Sequence, residues 1–113
     1  MKKKLRKIPD PEVYRGGFLT YMDYAATGEG RTIELNFCYA DTNAEAKQKH
    51  LDRFYPNDKR SQEYFGVGTQ VMRIESKKAK ELLTFFFTLG GKMHKDLVNA
   101  GVEFHFKLIF NYS

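Results

Sequence analysis

The chain has 113 residues, a formal net charge of +5 and 42% hydrophobic residues, among them 10 Phe and 7 Tyr. This length suits a single domain spanning residues 1–113, and the apolar share supports a packed core and argues against intrinsic disorder. A lone cysteine, Cys38, excludes an internal disulfide, and no apolar run approaches the roughly 20 residues that cross a bilayer. Because a secretory signal is not recognisable either, we predict a cytoplasmic protein without a membrane partner.

The positive charge is concentrated in residues 1–12, which form a basic, proline-containing N-terminal arm. Its five cations account for the whole net charge of +5, and they are Lys2, Lys3, Lys4, Arg6 and Lys7. Outside residues 2–7 the chain has 14 basic and 14 acidic residues and is therefore neutral, whereas the body of a nucleic-acid-binding domain usually carries its own basic face. A solvated arm is the simplest interpretation, and an arm that binds phosphate or another anion is the alternative.

Two strands are predicted at residues 18–26 and 31–39, joined at the turn sequence TGEG. The second strand alternates between an apolar set and a polar set, which are Ile33, Leu35, Phe37 and Tyr39 against Thr32, Glu34, Asn36 and Cys38. Successive side chains of a strand point to opposite faces of the sheet. The pattern therefore predicts a hairpin with one packed face and one solvated face.

The sequence DTNAEAKQKHLDRFYP predicts the first helix. Thr42 followed by Glu45 is a capping box, in which each side chain satisfies a free backbone N–H group. Glu45 and Lys49 stand four residues apart and form a favourable charge pair. The apolar positions of the predicted buried face are Ala44, Leu51, Phe54 and Tyr55. Pro56 ends the helix because proline cannot continue it.

Residues 57–63 are predicted as a loop and residues 64–74 as a third strand, which Gly66 and Gly68 weaken. The glycines give a G-x-G pattern, but Val71 stands where a dinucleotide-binding loop has its third glycine. We therefore interpret the pair as a bulge or a close backbone contact, and we expect no nucleotide cofactor.

A single long helix is predicted from residue 77 to residue 100, with Ser76 as its N-cap and Gly101 after its end. One apolar arc runs along it without a change of phase, through Ala79, Leu82, Leu83, Phe86, Leu89, Gly90, Met93 and Leu97. Because this arc continues across the Gly90–Gly91 pair, we predict at most a kink there. Phe85 and Phe87 flank the arc and are expected to stay partly exposed.

The last strand is the most regular, and its apolar face contains Val102, Phe104, Phe106, Leu108, Phe110 and Tyr112. Its polar face carries Glu103, His105 and Lys107. The element order β-β-α-β-α-β predicts an α+β fold, a two-layer sandwich with a four-stranded, mostly antiparallel sheet and two helices on one face. The polar face of the sheet is expected to meet solvent.

Four cations surround the predicted start of the long helix, and they are Arg73, Lys77, Lys78 and Lys80. Positive charge at a helix N-terminus opposes the helix dipole, and a bound anion would relieve that cost. These residues are therefore candidate anion-binding residues, and a solvated lysine face is the simpler alternative.

The three histidines and Cys38 show no metal-ligand spacing, so we expect neither a metal nor another cofactor. The favoured function is a small non-enzymatic binding protein of the inhibitor, adaptor or immunity type, which contacts another protein. The candidate partner-binding residues are Glu103, His105, Lys107, Phe85 and Phe87, which combine a solvated sheet face with exposed aromatic rings.

Three alternatives remain open from the residues alone. The first is nucleic-acid binding through the arm and the lysine-rich helix start. The second is a small enzyme whose site lies on the polar sheet face, at Glu34, Cys38, Glu103, His105 and Lys107, where a Cys38–His105 pair requires the second and last strands to be neighbours. The third is a homo-oligomer formed through an exposed edge of the sheet.

Overall fold

The computed structural model describes residues 16–26, 30–90 and 93–110, so the N-terminal arm and its anion-binding candidates Lys2, Lys3, Lys4, Arg6 and Lys7 lie outside the described residues. The elements are β1 (Gly17–Ala26), β2 (Gly30–Tyr39), α1 (Asn43–Phe54), α2 (Lys59–Gly66), β3 (Gln70–Arg73), α3 (Lys77–Gly90), α4 (Met93–Asn99) and β4 (Phe104–Phe110). The strands form one antiparallel sheet in the order β3-β1-β2-β4. The predicted α+β class with a single four-stranded sheet is confirmed.

The predicted hairpin forms the centre of the sheet. β1 and β2 pair over their whole length, with Thr20 opposite Asn36. β4 pairs with the other side of β2, which places His105 opposite Asn36 and Phe106 opposite Leu35. β3 and β4 therefore lie at opposite edges and are not neighbours. In the part of the chain that the structure describes, no strand pairs with the outer side of β4.

The apolar face of the sheet packs against α3. Its buried core consists of Leu19, Tyr21, Ile33, Leu35 and Phe37 from the strands together with Ala79, Leu83 and Phe86 from α3. The ring of Phe86 meets the ring of Phe106 edge-on, with the centroids 4.9 Å apart. This layer agrees with the sequence pattern, because alternating strand residues and the helical arc supply the two halves of one core.

The polar face is also covered, so the prediction of helices on one face only requires correction. Ala46 of α1 packs with Phe18 and Cys38 on this face, and α1 contacts β1, β2 and β3. Glu34 is 0% exposed and Asn36 is 4% exposed. Over β1 and β2 the expected solvated face is thus an interior between the sheet and α1, whereas its β4 part stays exposed. Three layers replace the predicted two.

The capping box of α1 forms, since Glu45 N donates to Thr42 Oγ1 at 3.1 Å and the Glu45 carboxylate accepts from Asp41 N at 3.0 Å. The predicted buried face is partly wrong, because Ala44 is exposed. The buried positions of α1 are Ala46, His50 and Leu51.

The predicted loop at residues 57–63 is largely a helix, α2. Asp58 caps it by accepting from Ser61 N at 3.1 Å and from Ser61 Oγ at 2.7 Å. The ring of Phe65 stacks on Tyr55, with centroids 4.7 Å apart, which fixes α2 against the end of α1. The predicted third strand shrinks accordingly to Gln70–Arg73.

The predicted long helix is described as two helices, α3 and α4, and the residues between them, 91–92, lie outside the described part of the chain. Ser76 caps α3 as predicted, since its Oγ accepts from Ala79 N at 3.2 Å. Gly101 follows α4 with a φ of +75°, and Val102 N donates to Leu97 O at 2.9 Å across it. A positive φ is the conformation that favours glycine after a helix. None of the described helices has the length and apolar character of a membrane span.

Candidate functional site

A cleft of about 740 Å³ opens beside α1 at the edge strand β4. Because α1 lies across β1 and β2, the outward positions of β4 on this face stay exposed. The charged and polar side chains that line the cleft are Lys49, Asp52, Arg53, Glu103, His105 and Asn36. Two of the predicted partner-binding residues, Glu103 and His105, therefore meet here with α1 residues that the sequence did not single out.

Three charges of the cleft are held by neighbouring groups. Glu103 Oε2 accepts from Tyr39 N at 2.7 Å. Lys49 Nζ donates to Tyr39 O at 2.6 Å and lies 3.8 Å from the Glu45 carboxylate. Asp52 Oδ1 accepts from the side-chain amides of two glutamines, at 2.9 Å and 3.0 Å. These contacts fix the walls of the cleft and join the last residue of β2 to both α1 and the segment before β4.

Arg53 and His105 lie close to each other in the cleft. Among the described residues, no hydrogen bond or ion pair engages either side chain, although the His105 ring meets Phe54 edge-on at 5.8 Å. Burial lowers the pKa of His105, and the positive charge of Arg53 lowers it further. Two nitrogen-rich groups thus stand close together, neither of them paired with a described acid, an arrangement that an incoming anion would stabilise.

A second group of polar residues lies buried under α1. Thr20 Oγ1 is 2.7 Å from His50 Nδ1, and His50 Nε2 is 3.2 Å from Glu34 Oε1. Tyr24 donates to Glu34 Oε2 at 3.2 Å, and Tyr55 donates to the same oxygen. The side chains of Thr20, Glu34 and His50 are all 0% exposed.

The electrostatics of this network favour an ionised Glu34. Burial raises the pKa of the Glu34 carboxyl, but hydrogen bonds from His50, Tyr55 and Tyr24 outweigh burial and lower the pKa overall. Burial and the hydrogen bond to Glu34 raise the pKa of Tyr55, which keeps its hydroxyl a donor. Hydroxyl, imidazole and carboxylate stand here in the order of a catalytic triad. Thr20 is enclosed, however, so the network holds α1 to the sheet.

Cys38 and His105 both line the cleft, which is possible because β2 and β4 are neighbouring strands. The thiol is nevertheless 2% exposed, and burial raises the pKa of Cys38 to about 11. A thiol with such a pKa is protonated near neutral pH and is a weak nucleophile. The five residues named for an enzyme site are not assembled on one open surface, because Glu34 is buried with Cys38.

The remaining partner-binding candidates are divided between two sides of the sheet. Lys107 is exposed on the same face as His105. Phe85 is 47% exposed and Phe87 is half-buried against the α3 core, so both lie on the opposite layer from the cleft. The structure therefore brings Glu103, His105 and Lys107 together and leaves the two phenylalanines apart from them.

The anion-binding candidates Arg73, Lys77, Lys78 and Lys80 lie near the β3 edge, across the sheet from β4. Lys78 Nζ donates to the Gln70 side chain at 2.6 Å. Lys77 and Lys80 share a surface groove with Glu75 and Glu81. Acidic residues thus interleave with the lysines, and Ser76 already caps the helix start. Anion binding at this edge stays a prediction.

Within the described ranges, no group of three or more His, Cys, Asp or Glu side chains is placed to hold a metal ion. No family model, no curated protein and no solved structure matches this chain. The alternation of the last strand predicted the part of the candidate site that lies at β4. It did not predict Arg53, because Arg53 belongs to a helix distant in sequence.

Proposed function

We propose that this protein is a non-enzymatic binding protein that accepts an extended segment of a partner protein along the outer edge of β4. The observation that carries the proposal is the position of β4 at the edge of the sheet, beside the cleft. An edge strand presents a row of backbone N–H and C=O groups that another strand can pair with, and proteins recognise extended peptides in this way.

The surroundings of β4 support this proposal. Ile109 is 50% exposed and Phe110 is 38% exposed on the strand itself, and Val102 is 44% exposed just before it. Exposed apolar side chains next to free backbone groups are typical of a surface that a partner covers. An added strand would extend the sheet and shield these side chains in a single step.

A second copy of this chain suits the edge less well than a different protein. In a fully overlapping antiparallel pair of β4 strands, Lys107 stands at the centre and faces Lys107 of the other copy. Like charges directly opposite each other destabilise a strand pair. Lysine in an edge strand also works against unwanted edge-to-edge association. The favoured occupant is therefore a segment with a different sequence.

Site-specific photocrosslinking tests this function. A photoreactive phenylalanine analogue replaces Ile109 on β4, and a matched control places it at Tyr64, which is 74% exposed on α2. In the cells that produce the protein, we expect the Ile109 position to form an adduct with an extended segment of one partner protein and the Tyr64 position to form none. Adducts only to a second copy, only to nucleic acid, or equally from both positions would contradict the proposal.

A further inference from the structure

We infer that the segment bound along β4 is acidic, with carboxylate side chains at alternating positions, the first of which stands beside His105 and points toward Arg53. This inference rests on the proposed function, because it names the chemistry of the partner that pairs with β4. It is carried by three features of the described residues: the direction in which β4 side chains point, the state of each charge in the cleft, and the apolar layer on the opposite face.

Strand geometry places the first carboxylate. The residue of an added strand directly opposite His105 points to the same face as His105, with Cβ atoms roughly 4.5–5.5 Å apart. That face at His105 is the cleft, whose α1 wall contributes Arg53. A carboxylate at this position can accept paired hydrogen bonds from the guanidinium and a further one from the imidazole, which has an N–H donor in either protonation state.

The charges already present in the cleft leave Arg53 as the group in need of a partner. Glu103 is held by Tyr39 N, Asp52 by two glutamine amides, and Lys49 by Tyr39 O and Glu45. The two acids of the cleft thus already accept hydrogen bonds from other groups, and the charge of Lys49 is balanced by Glu45. A planar, permanently charged guanidinium suits a carboxylate better than any neutral side chain.

The period of the strand sets the rest of the pattern. Two positions along the added strand, the next side chain on this face stands opposite Lys107, which is exposed and again favours a carboxylate. The intervening side chains point to the other face, where Phe104, Phe106 and Leu108 are half-buried beside the α3 core. Apolar side chains suit those positions. The preferred segment therefore alternates acidic and apolar residues.

Three synthetic peptides of the length of β4 test this inference, with Val alternating with Glu, with Gln or with Lys. Binding to the full chain is measured by titration while NMR follows the backbone amides of β4. We expect the Glu peptide to bind about tenfold more tightly than the Gln peptide, the effect of one charge-assisted hydrogen-bonded contact, and the Lys peptide to bind most weakly. Arg53→Gln should reduce the preference for Glu, of which the contact to Lys107 retains a part, and Arg60→Gln, a control on α2, should keep it in full.

The outcomes separate this inference from the proposed function. Equal binding of the Glu and Gln peptides at β4, or an unchanged preference in Arg53→Gln, would overturn the acidic segment while leaving strand pairing intact. If no peptide shifts the β4 amides but the Ile109 crosslink identifies a partner, the sequence of the crosslinked segment decides, and a segment without alternating acids overturns the inference. Failure of both the peptides and the crosslink would overturn the function itself.

Discussion

Glu34 and His50 form the least typical contact in this protein, an imidazole and a carboxylate that meet in a fully enclosed space. Burying such a pair is costly unless the remaining hydrogen-bonding capacity is satisfied. Here Tyr24 and Tyr55 donate to the carboxylate, and the Thr20 hydroxyl lies within hydrogen-bond distance of the imidazole. Each contact of the network therefore depends on the others, and substitutions of its members should have coupled effects on the free energy of unfolding.

Removing one member of the pair should be severe. We expect Glu34→Ala and His50→Ala each to lower the free energy of unfolding by roughly 3–5 kcal/mol, because each leaves a buried polar partner without its contact. The double variant should lose less than the sum of the two single losses, since the second removal takes away the group left unpaired by the first. Urea denaturation of the three variants measures this, and strict additivity would show that the contact is energetically irrelevant.

The same carboxylate predicts a dependence of stability on acid. The pKa of Glu34 lies below its ordinary value of 4.5 in the folded chain, so the folded state favours the ionised form. Its contribution is present above pH 4.5 and is lost as the pH falls through the lower folded pKa. In Glu34→Gln, the free energy of unfolding should fall less steeply as the pH is lowered. Urea denaturation at several pH values from 7 downward measures this. The control is Asp58→Asn on α2, which should keep the loss of stability at low pH that is due to Glu34. If Glu34→Gln loses as much stability at low pH as the unchanged chain, Glu34 is not ionised in the folded network.

The polar side chains of β4 should contribute little to stability. Glu103→Ala, His105→Ala and Lys107→Ala are each expected to change the free energy of unfolding by less than about 1 kcal/mol, because all three are exposed. Glu103→Ala should be the largest of the three, since it alone removes a hydrogen bond, that from Tyr39 N. Thermal or urea unfolding checks the order. A large loss for His105 or Lys107 would show that these side chains serve the fold and not a partner.

At the scale of the elements, the two helical layers adhere to the sheet by different means. α3 is held by an apolar core with Phe86 at its centre, 1% exposed. α1 is held by a small apolar cluster together with the polar network around His50. The α3 layer should consequently depend on side-chain volume, and the α1 layer on hydrogen bonding and charge.

Two adjacent phenylalanines of α3 test the apolar layer. Phe86→Ala should cost roughly 3–5 kcal/mol, because it removes a buried ring and leaves a cavity. Phe85→Ala should cost less than about 1 kcal/mol, because that ring is 47% exposed. The two changes have the same chemistry and nearly the same place in the helix, so denaturant unfolding reports burial alone. Equal losses would mean that the face of α3 against the sheet is incorrectly assigned.

At the scale of the whole molecule, β4 is an edge strand beside a cleft among the described residues, and the charge of the chain is unevenly distributed. The five cations of residues 2–7 account for the net charge of +5. Cationic segments bind nucleic acid without sequence preference and with a strong dependence on salt. The arm and the β4 edge therefore predict two separable activities, one sensitive to salt and one to the sequence of a partner.

Deleting residues 2–7 separates them. The full chain should bind an arbitrary oligonucleotide weakly, with an affinity that falls as salt rises, and the deletion should flatten this dependence by up to about five phosphate contacts. Binding of the Glu peptide to β4 should survive the deletion. Fluorescence anisotropy at several salt concentrations measures both. Tight, salt-resistant oligonucleotide binding by the deletion variant would favour a nucleic-acid-binding body.

The sequence by itself predicted the α+β class, the hairpin, the capping box at Thr42 and the apolar half of the sheet. These features follow from local rules, since a strand alternates with a period of two and a helix start is marked within four residues. It also identified the polar side of β4, and with it His105 in the candidate site. It did not predict α2, whose polar sequence resembles that of a loop apart from its cap at Asp58.

Only the tertiary structure decided what covers the polar face. Alternating Glu34, Asn36 and Cys38 resemble a solvated face, because an isolated strand does not show which polar groups find partners elsewhere. The partner of Glu34 is His50, 16 residues away, and Arg53 reaches the cleft from the same helix. Burial of a charge depends on contacts between distant segments, which sum over the whole fold and leave no local period in the sequence.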